Sequence, residues 1–233
     1  MPLDRKLAVV PGVPTGVALI SQSSLDVLLP YRGPETFHSF GHSSQISWWE
    51  GSKGSFLTTE SVPISPLPTS LICGAMPTTI ERISPNEWLF DGSRLSPTRV
   101  LRTPFIPKAM PHLMVSPEIE EQLSANIGRG PGLTPEGDDV LAGFLIAARS
   151  LGVDHALTSS DWNQARTTSF SSALLNAAFR GFAISTVYLA VQELRVHGSI
   201  VKTRSALIDI GSSSGAAMLL GMELASDSAR RAA

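Results

Sequence analysis

The sequence predicts an α+β protein: a β-rich domain over residues 1–111, a small barrel or sandwich, followed by an all-α helical domain over residues 112–233. Three observations carry that expectation. The first half holds most of the 17 prolines and only short β-like runs. Beyond Pro117 the pattern changes to long apolar periods punctuated by glycine. Between two of those periods lies Gly128-Arg-Gly-Pro-Gly-Leu-Thr-Pro-Glu-Gly-Asp-Asp139, with four glycines and two prolines in residues 128–137, which no regular element accommodates.

In the first half, Val17-Ala-Leu-Ile20, Gln45-Ile-Ser-Trp-Trp49, Ser55-Phe-Leu-Thr58, Leu71-Ile-Cys73 and Trp88-Leu-Phe90 read as strands separated by Gly, Ser and Pro. Glu50-Gly-Ser-Lys-Gly54 reads as a hairpin connection, and Trp48-Trp49 as strand alternation with one ring in the core. The strand order does not follow from these runs.

In the second half, Ser116-Pro117-Glu118 opens a helix ending near Ile127. Thr134 as N-cap and Pro135 at the first helical position open a second, running to Leu151 and closed by Gly152. Its residues Val140–Ala148 are apolar nearly all round, the signature of a helix buried on most sides. Asp161 is expected to cap a third helix that carries Trp162, Phe170, Leu174 and Leu175 and stops before Gly181. Helices at 184–196 and 199–209, closed by Gly198 and Gly211, and a last one at 214–225 complete the chain.

Composition excludes several function classes. A net charge of −2 and no basic stripe argue against a nucleic-acid partner. No run approaches the ~18 apolar residues of a membrane span, and Met1-Pro-Leu-Asp-Arg-Lys lacks a signal-peptide core. The single cysteine, Cys73, permits no internal disulfide or Cys-rich zinc site, so a cytoplasmic protein is expected, with Cys73 in the core. Only 16% of residues are charged, which fits a surface partly covered by other subunits or by a second copy in a homo-oligomer. His38, His42, His112, His155 and His197 form no zinc pattern.

The glycine-rich run is the candidate site. A glycine loop opening onto a helix N-terminus directs backbone N–H groups and a positive dipole end toward a bound anion. Gly128, Gly130, Gly132, Thr134 and Gly137 would shape that cradle, with Arg129 adding charge. Asp138 and Asp139 lie in the first turn of a buried helix, where carboxylates require a partner or a function. They are the candidate catalytic pair, suited to orienting an amide nucleophile or accepting a proton. The alternative is that both acids only complement the helix dipole. Two acids are too few to predict a metal, and no cofactor is expected. A second small-residue loop, Asp209-Ile-Gly-Ser-Ser-Ser-Gly215, also runs into an apolar helix, so that Ser213, Ser214 and Gly215 are further candidate anion donors; taken alone, a glycine C-cap followed by a serine N-cap is the preferred reading of it. Thr167-Thr-Ser169, expected within the third helix, can face the Asp pair or back-bond to the preceding turn. His112, Arg180, Lys202 and Arg204 are lesser candidates near the site.

The loop is no P-loop, lacking Gly-Lys-Ser/Thr, and no Rossmann fingerprint, lacking a preceding strand. There is no G-x-S-x-G elbow. The string GRGPGLTPEGDDVLAGFL instead resembles the G-x-G-x-G-L-T-P-x-G-D-D-x-L-x-G signature of the AllH-like family, with a weaker likeness to about residue 225. The resemblance implies a subunit of an oxamate carbamoyltransferase, acting in allantoin and purine nitrogen catabolism. It also implies two partners, an FdrA-like subunit and a second large subunit, and a small anionic substrate. The family pattern carries an acid where this chain has Ala217, a departure that removes a second acid but keeps the donor loop. The S-x-R-T phosphate motif of ordinary carbamoyltransferases is missing; Ser96-Pro-Thr-Arg99 has the wrong order. A non-catalytic metabolite-binding or assembly subunit, or a stand-alone enzyme on another small carboxylic acid, are the alternative readings.

Overall fold

A computed structural model describes residues 104–231 throughout and, before them, the strands with two adjoining turn residues. The side chains of His38, Trp48 and Cys73, and all of His42 and of residues 96–99, lie outside the described residues. The chain is mixed α and β and rich in helix. Its Cα atoms cluster into two units, residues 1–46 with 56–103, and residues 47–55 with 104–233.

The strands before residue 104 are β1 (Val17–Ser21), β2 (Thr36–Ser39), β3 (Ser43–Glu50), β4 (Lys53–Glu60), β5 (Ser70–Cys73), β6 (Ile80–Ser84), β7 (Glu87–Phe90), β8 (Ser93–Leu95) and β9 (Val100–Leu101). Six lie in the order β2-β3-β4-β5-β1-β9, and β6-β7-β8 form an antiparallel meander. Each strand read from the sequence lies within one of these. The turn-side ends of β3 and β4 cluster with the second unit.

That second unit is helical. Its elements are β10 (Leu113–Met114), α1 (Pro117–Ala125), α2 (Glu136–Leu151), β11 (Val153–Asp154), α3 (Ser169–Arg180), α4 (Ser185–His197), α5 (Arg204–Ile208) and α6 (Ser214–Arg231). Helix α2 is its axis. Leu141, Phe144, Leu145 and Ile146 are almost fully enclosed, with Leu175 of α3, Val191 and Leu194 of α4, Leu207 of α5 and Met222 of α6 in the same core. The all-round apolar character of Val140–Ala148 thus has its expected consequence. Gly143 of α2 lies against the Met218 backbone, and Gly221 of α6 against Val140 and Phe144, so these two helices approach backbone to backbone.

Three expected helix bounds change, each for a physical reason. Helix α3 begins at Ser169, not near Asp161. Asp161 faces backward, accepting from the Thr158 amide (2.7 Å) and hydroxyl (3.2 Å), and Asn163 holds the Ala165 amide (2.9 Å); these local bonds make turns instead of a first helical turn. Thr168 is the actual N-cap, accepting from the Ser171 amide at 3.0 Å. Helix α5 is only Arg204–Ile208, because Glu193 of α4 gathers the amides of Val201, Lys202 and Thr203 (2.7–2.9 Å) and the Thr203 hydroxyl (2.7 Å). Those donors hold the half-buried Glu193 carboxyl down to about 2. The last helix continues to Arg231, since Ser226 and Ser228, polar in sequence, are buried along it and Ser228 donates to the Leu224 carbonyl (2.8 Å).

Candidate functional site

The glycine-rich run folds as a loop between α1 and α2, and Asp138 is the hub around which it closes. One carboxylate oxygen of Asp138, Oδ1, accepts the Gly128 amide at 2.7 Å. Oδ2 accepts the Ser171 hydroxyl at 2.6 Å and the Thr167 hydroxyl. Three donors, one from the loop and two from the start of α3, satisfy a carboxylate that is 2% exposed. Two of the glycines here serve close packing. Gly128, at φ +75°, carries no side chain because a Cβ would overlap the Arg166 carbonyl; Gly137 sits equally close to the Asn126 carbonyl. Some amides of this run are also used internally, Arg129 N–H on Asn126 (3.0 Å), Gly137 N–H on Arg129 (2.9 Å), and those of Asp138 and Asp139 on Pro135 (2.9 and 3.2 Å).

Asp139 is placed differently. It is as buried as Asp138, at 3% exposure, yet its Oδ2 has no hydrogen-bond partner. The hydroxyls of Thr134 and Ser214 lie beside its carboxyl and 3.4 Å from each other. Thr134 does not cap α2: Pro135 holds the N-cap position with no side-chain bond, which leaves the Thr134 hydroxyl for Ser214. The two small-residue loops recognised in the sequence therefore meet, with the N-termini of α2 and α6 converging on Asp139. Burial pushes the Asp139 carboxyl up to about 6; hydrogen bonding from Ser214 and Thr134 opposes this, and the nearby Asp138 and Glu136 charges add to it. A carboxyl in that range exchanges its proton near neutrality.

The remaining expected residues distribute around this centre. Gly215 is buried under α5, where a Cβ would overlap the Leu207 carbonyl, and it lets α6 begin beside Asp139. Arg129, Gly130, Gly132 and Ser213 are exposed. Thr167-Thr-Ser169 is not mid-helix but forms the start of α3, and each of its hydroxyls is engaged. Thr167 donates to Asp138, Thr168 to the Leu133 carbonyl (2.7 Å) and Ser169 to the Ser47 hydroxyl (2.8 Å). Ser171 and Ser172 extend the series, the latter accepting the Gly54 amide at 3.0 Å. Sequence reasoning missed these two, although the run Thr167-Thr-Ser-Phe-Ser-Ser172 is visibly hydroxyl-rich. His112 lies against Gly152 at the far end of α2, roughly 20 Å of helix away, donating to the Met110 carbonyl (3.2 Å). Arg180 stacks on Phe182 and Arg204 pairs with Glu223 (2.9 Å), so neither cation serves the acids. Among the described residues no group of three or more His, Cys, Asp or Glu is placed to hold a metal, and no helix is long and apolar enough to cross a membrane.

Two helix N-termini, those of α2 and α6, thus frame a buried carboxyl that burial raises toward neutrality. Residues 126–226 match the family model of oxamate carbamoyltransferase subunit AllH. The match begins at Asn126, takes in both small-residue loops and ends within α6, so the likeness at residues 128–145 extends across the whole site. No solved structure matches the chain.

Proposed function

We propose that this protein is a subunit of an oxamate carbamoyltransferase-type complex, converting oxalurate and phosphate to oxamate and carbamoyl phosphate in cytoplasmic allantoin catabolism. The observation that carries the reading is the buried, unpartnered Asp139 oxygen between Thr134 and Ser214, inside the segment that matches AllH. In that reaction a phosphate oxygen bonds the carbamoyl carbon while the carbon–nitrogen bond to oxamate breaks, and the departing nitrogen takes up a proton. Asp139 is the group we assign to that proton. Asp138 is its positioning neighbour, locked by three donors; Arg129, Gly130, Gly132, Thr134, Ser213 and Ser214 form the substrate-binding rim, and Gly128, Gly137 and Gly215 let the backbone close beneath it.

The partners in this reading are an FdrA-like subunit and a second large subunit. Exposed Met110, Met114, Leu189, Val196 and Val201 supply apolar surface for assembly. The β-rich reading of residues 1–111 and the helical domain at 112–233 belong to the same proposal. The test is oxalurate phosphorolysis by the chain alone and reconstituted with both partners, comparing wild type, Asp139→Asn and Asp138→Asn. Activity confined to the complex, and abolished by Asp139→Asn with assembly intact, is the expected result. Undiminished turnover by Asp139→Asn removes the catalytic assignment and leaves a binding or assembly subunit. Turnover by the isolated chain on another small acid would support a stand-alone enzyme instead.

A further inference from the structure

The glycine-rich loop invites an anion, yet the amides nearest the two aspartates are engaged within the protein. Gly128 N–H is held by Asp138, Arg129 N–H by Asn126, Gly137 N–H by Arg129, and Asp138 and Asp139 N–H by Pro135. At the second loop, Gly215 N–H is held by Ile210 (2.9 Å) and Ala217 N–H by Ser213 (3.0 Å). Oδ2 of Asp139 is enclosed and has no hydrogen-bond partner, although the Thr134 and Ser214 hydroxyls lie beside the carboxyl. An unpartnered buried acceptor is costly, more so when charged, and a ligand that donates to it recovers that cost. A second anion placed against the carboxylate would add repulsion instead.

We propose that the subsite at Asp139 takes the N–H face of a carboxamide or ureido group, with Asp139 Oδ2 accepting the N–H and the Thr134 and Ser214 hydroxyls meeting the adjoining carbonyl oxygen. The subsite thus selects a neutral amide over a carboxylate of the same shape. The inference rests on the functional reading above for the ligand's general nature and adds its orientation: the amide end enters between α2 and α6, while any carboxylate points outward toward exposed Arg129. Ionised Asp139, the prevailing form above about pH 6, is the required acceptor. A site that hydrogen-bonds a ligand N–H rejects an analogue lacking it far more strongly than an apolar pocket rejects a changed methylene.

The experiment compares binding of oxamate, oxalate and N,N-dimethyloxamate to the full chain and to the reconstituted complex by calorimetry at pH 7.5. Wild type is expected to prefer oxamate at least tenfold over both analogues. In Asp139→Asn, whose side-chain amide also donates, the oxamate/oxalate ratio is expected to fall to one or below. Equal or tighter oxalate binding by wild type overturns the proposal, as does a ratio unchanged in Asp139→Asn or binding of no probe to either preparation. Should the variant fail to fold, ¹⁵N-oxamate on the wild-type protein decides: one amide proton should move downfield on binding, and an unshifted pair overturns the assignment. Oxalurate turnover with a ratio unchanged by Asp139→Asn would sink this inference and spare the functional reading. The expected fall in ratio without oxalurate turnover would do the opposite.

Discussion

Adjacent aspartates with nearly equal burial have opposite energetic character because their hydrogen-bond supply differs. Asp138 accepts from Gly128, Thr167 and Ser171, whereas Asp139 leaves Oδ2 without a donor. Amide substitution should therefore act with opposite sign. Asp138→Asn turns an acceptor-only group into one with an NH₂ facing donors, and should destabilise the chain by about 1–3 kcal/mol. Asp139→Asn removes a charge that the fold disfavours and should stabilise it by a similar amount at pH 7.5. The sign follows from linkage: a carboxyl raised from 3.8 to about 6 keeps its proton longer in the folded state, so folding loses stability as pH rises through that interval. The gap between wild type and Asp139→Asn should open between pH 4 and 6 and stay constant above, as read by urea midpoints at pH 4, 5, 6 and 7.5. A gap independent of pH would remove Asp139 as its source. Removing both hydroxyls on Asp138, in Thr167→Val with Ser171→Ala, should cost about 2–4 kcal/mol, since each buried acceptor site loses its donor. Chemical denaturation of the double variant against each single one measures whether the two hydroxyls act together.

Helix α2 and helix α6 owe their close approach to Gly143 and Gly221, and at these positions the usual rule for helical glycine reverses. Alanine in a helix interior is normally better than glycine by about 1 kcal/mol. Here a Cβ on Gly143 would overlap the Met218 carbonyl, and one on Gly221 the Val140 carbonyl. Gly143→Ala and Gly221→Ala should each destabilise the chain by about 1–3 kcal/mol despite the propensity gain, because backbone must move. Thermal melts that rise in either variant would show that the helices are free to part. The same element explains how far the sequence was legible. The apolar circumference of Val140–Ala148 announced a buried axis, and Gly152, Gly181 and Gly198 end their helices in the left-handed conformation that glycine favours. The start of α3 was not legible, because Asp161 is a good N-cap in composition and only its backward bonds to Thr158 disqualify it. Nor was the shortness of α5, which depends on Glu193 from the preceding helix. Local pattern reports propensity; these two bounds are set by side chains that could have bonded elsewhere.

At the scale of the molecule, the meeting of the two loops is the feature that no single stretch of sequence contains. Thr134 and Ser214 are 80 residues apart and join only because α2 and α6 pack along each other with their N-termini together. The sequence marked both loops but offered no reason to bring them to one place. The unit that holds them also extends beyond residue 112. Ile106 is 1% exposed within its core, its amide donates to the Gly181 carbonyl (2.8 Å), and its carbonyl accepts from Arg149 Nε (2.7 Å). Phe105 packs on Phe182 at 5.4 Å and bears the Arg149 guanidinium. A fragment beginning at residue 112 therefore lacks a buried aliphatic side chain and leaves Gly181 and Arg149 without these partners. Loss of the Ile106 side chain alone is worth about 2–5 kcal/mol. Ile106→Ala in the full chain should lower the urea midpoint of the helical signal accordingly, and a fragment from 104 should outlast one from 112 under the same titration. Equal midpoints for the two fragments would mean that residues 104–111 only rest on the helices, and that the core around α2 closes without them.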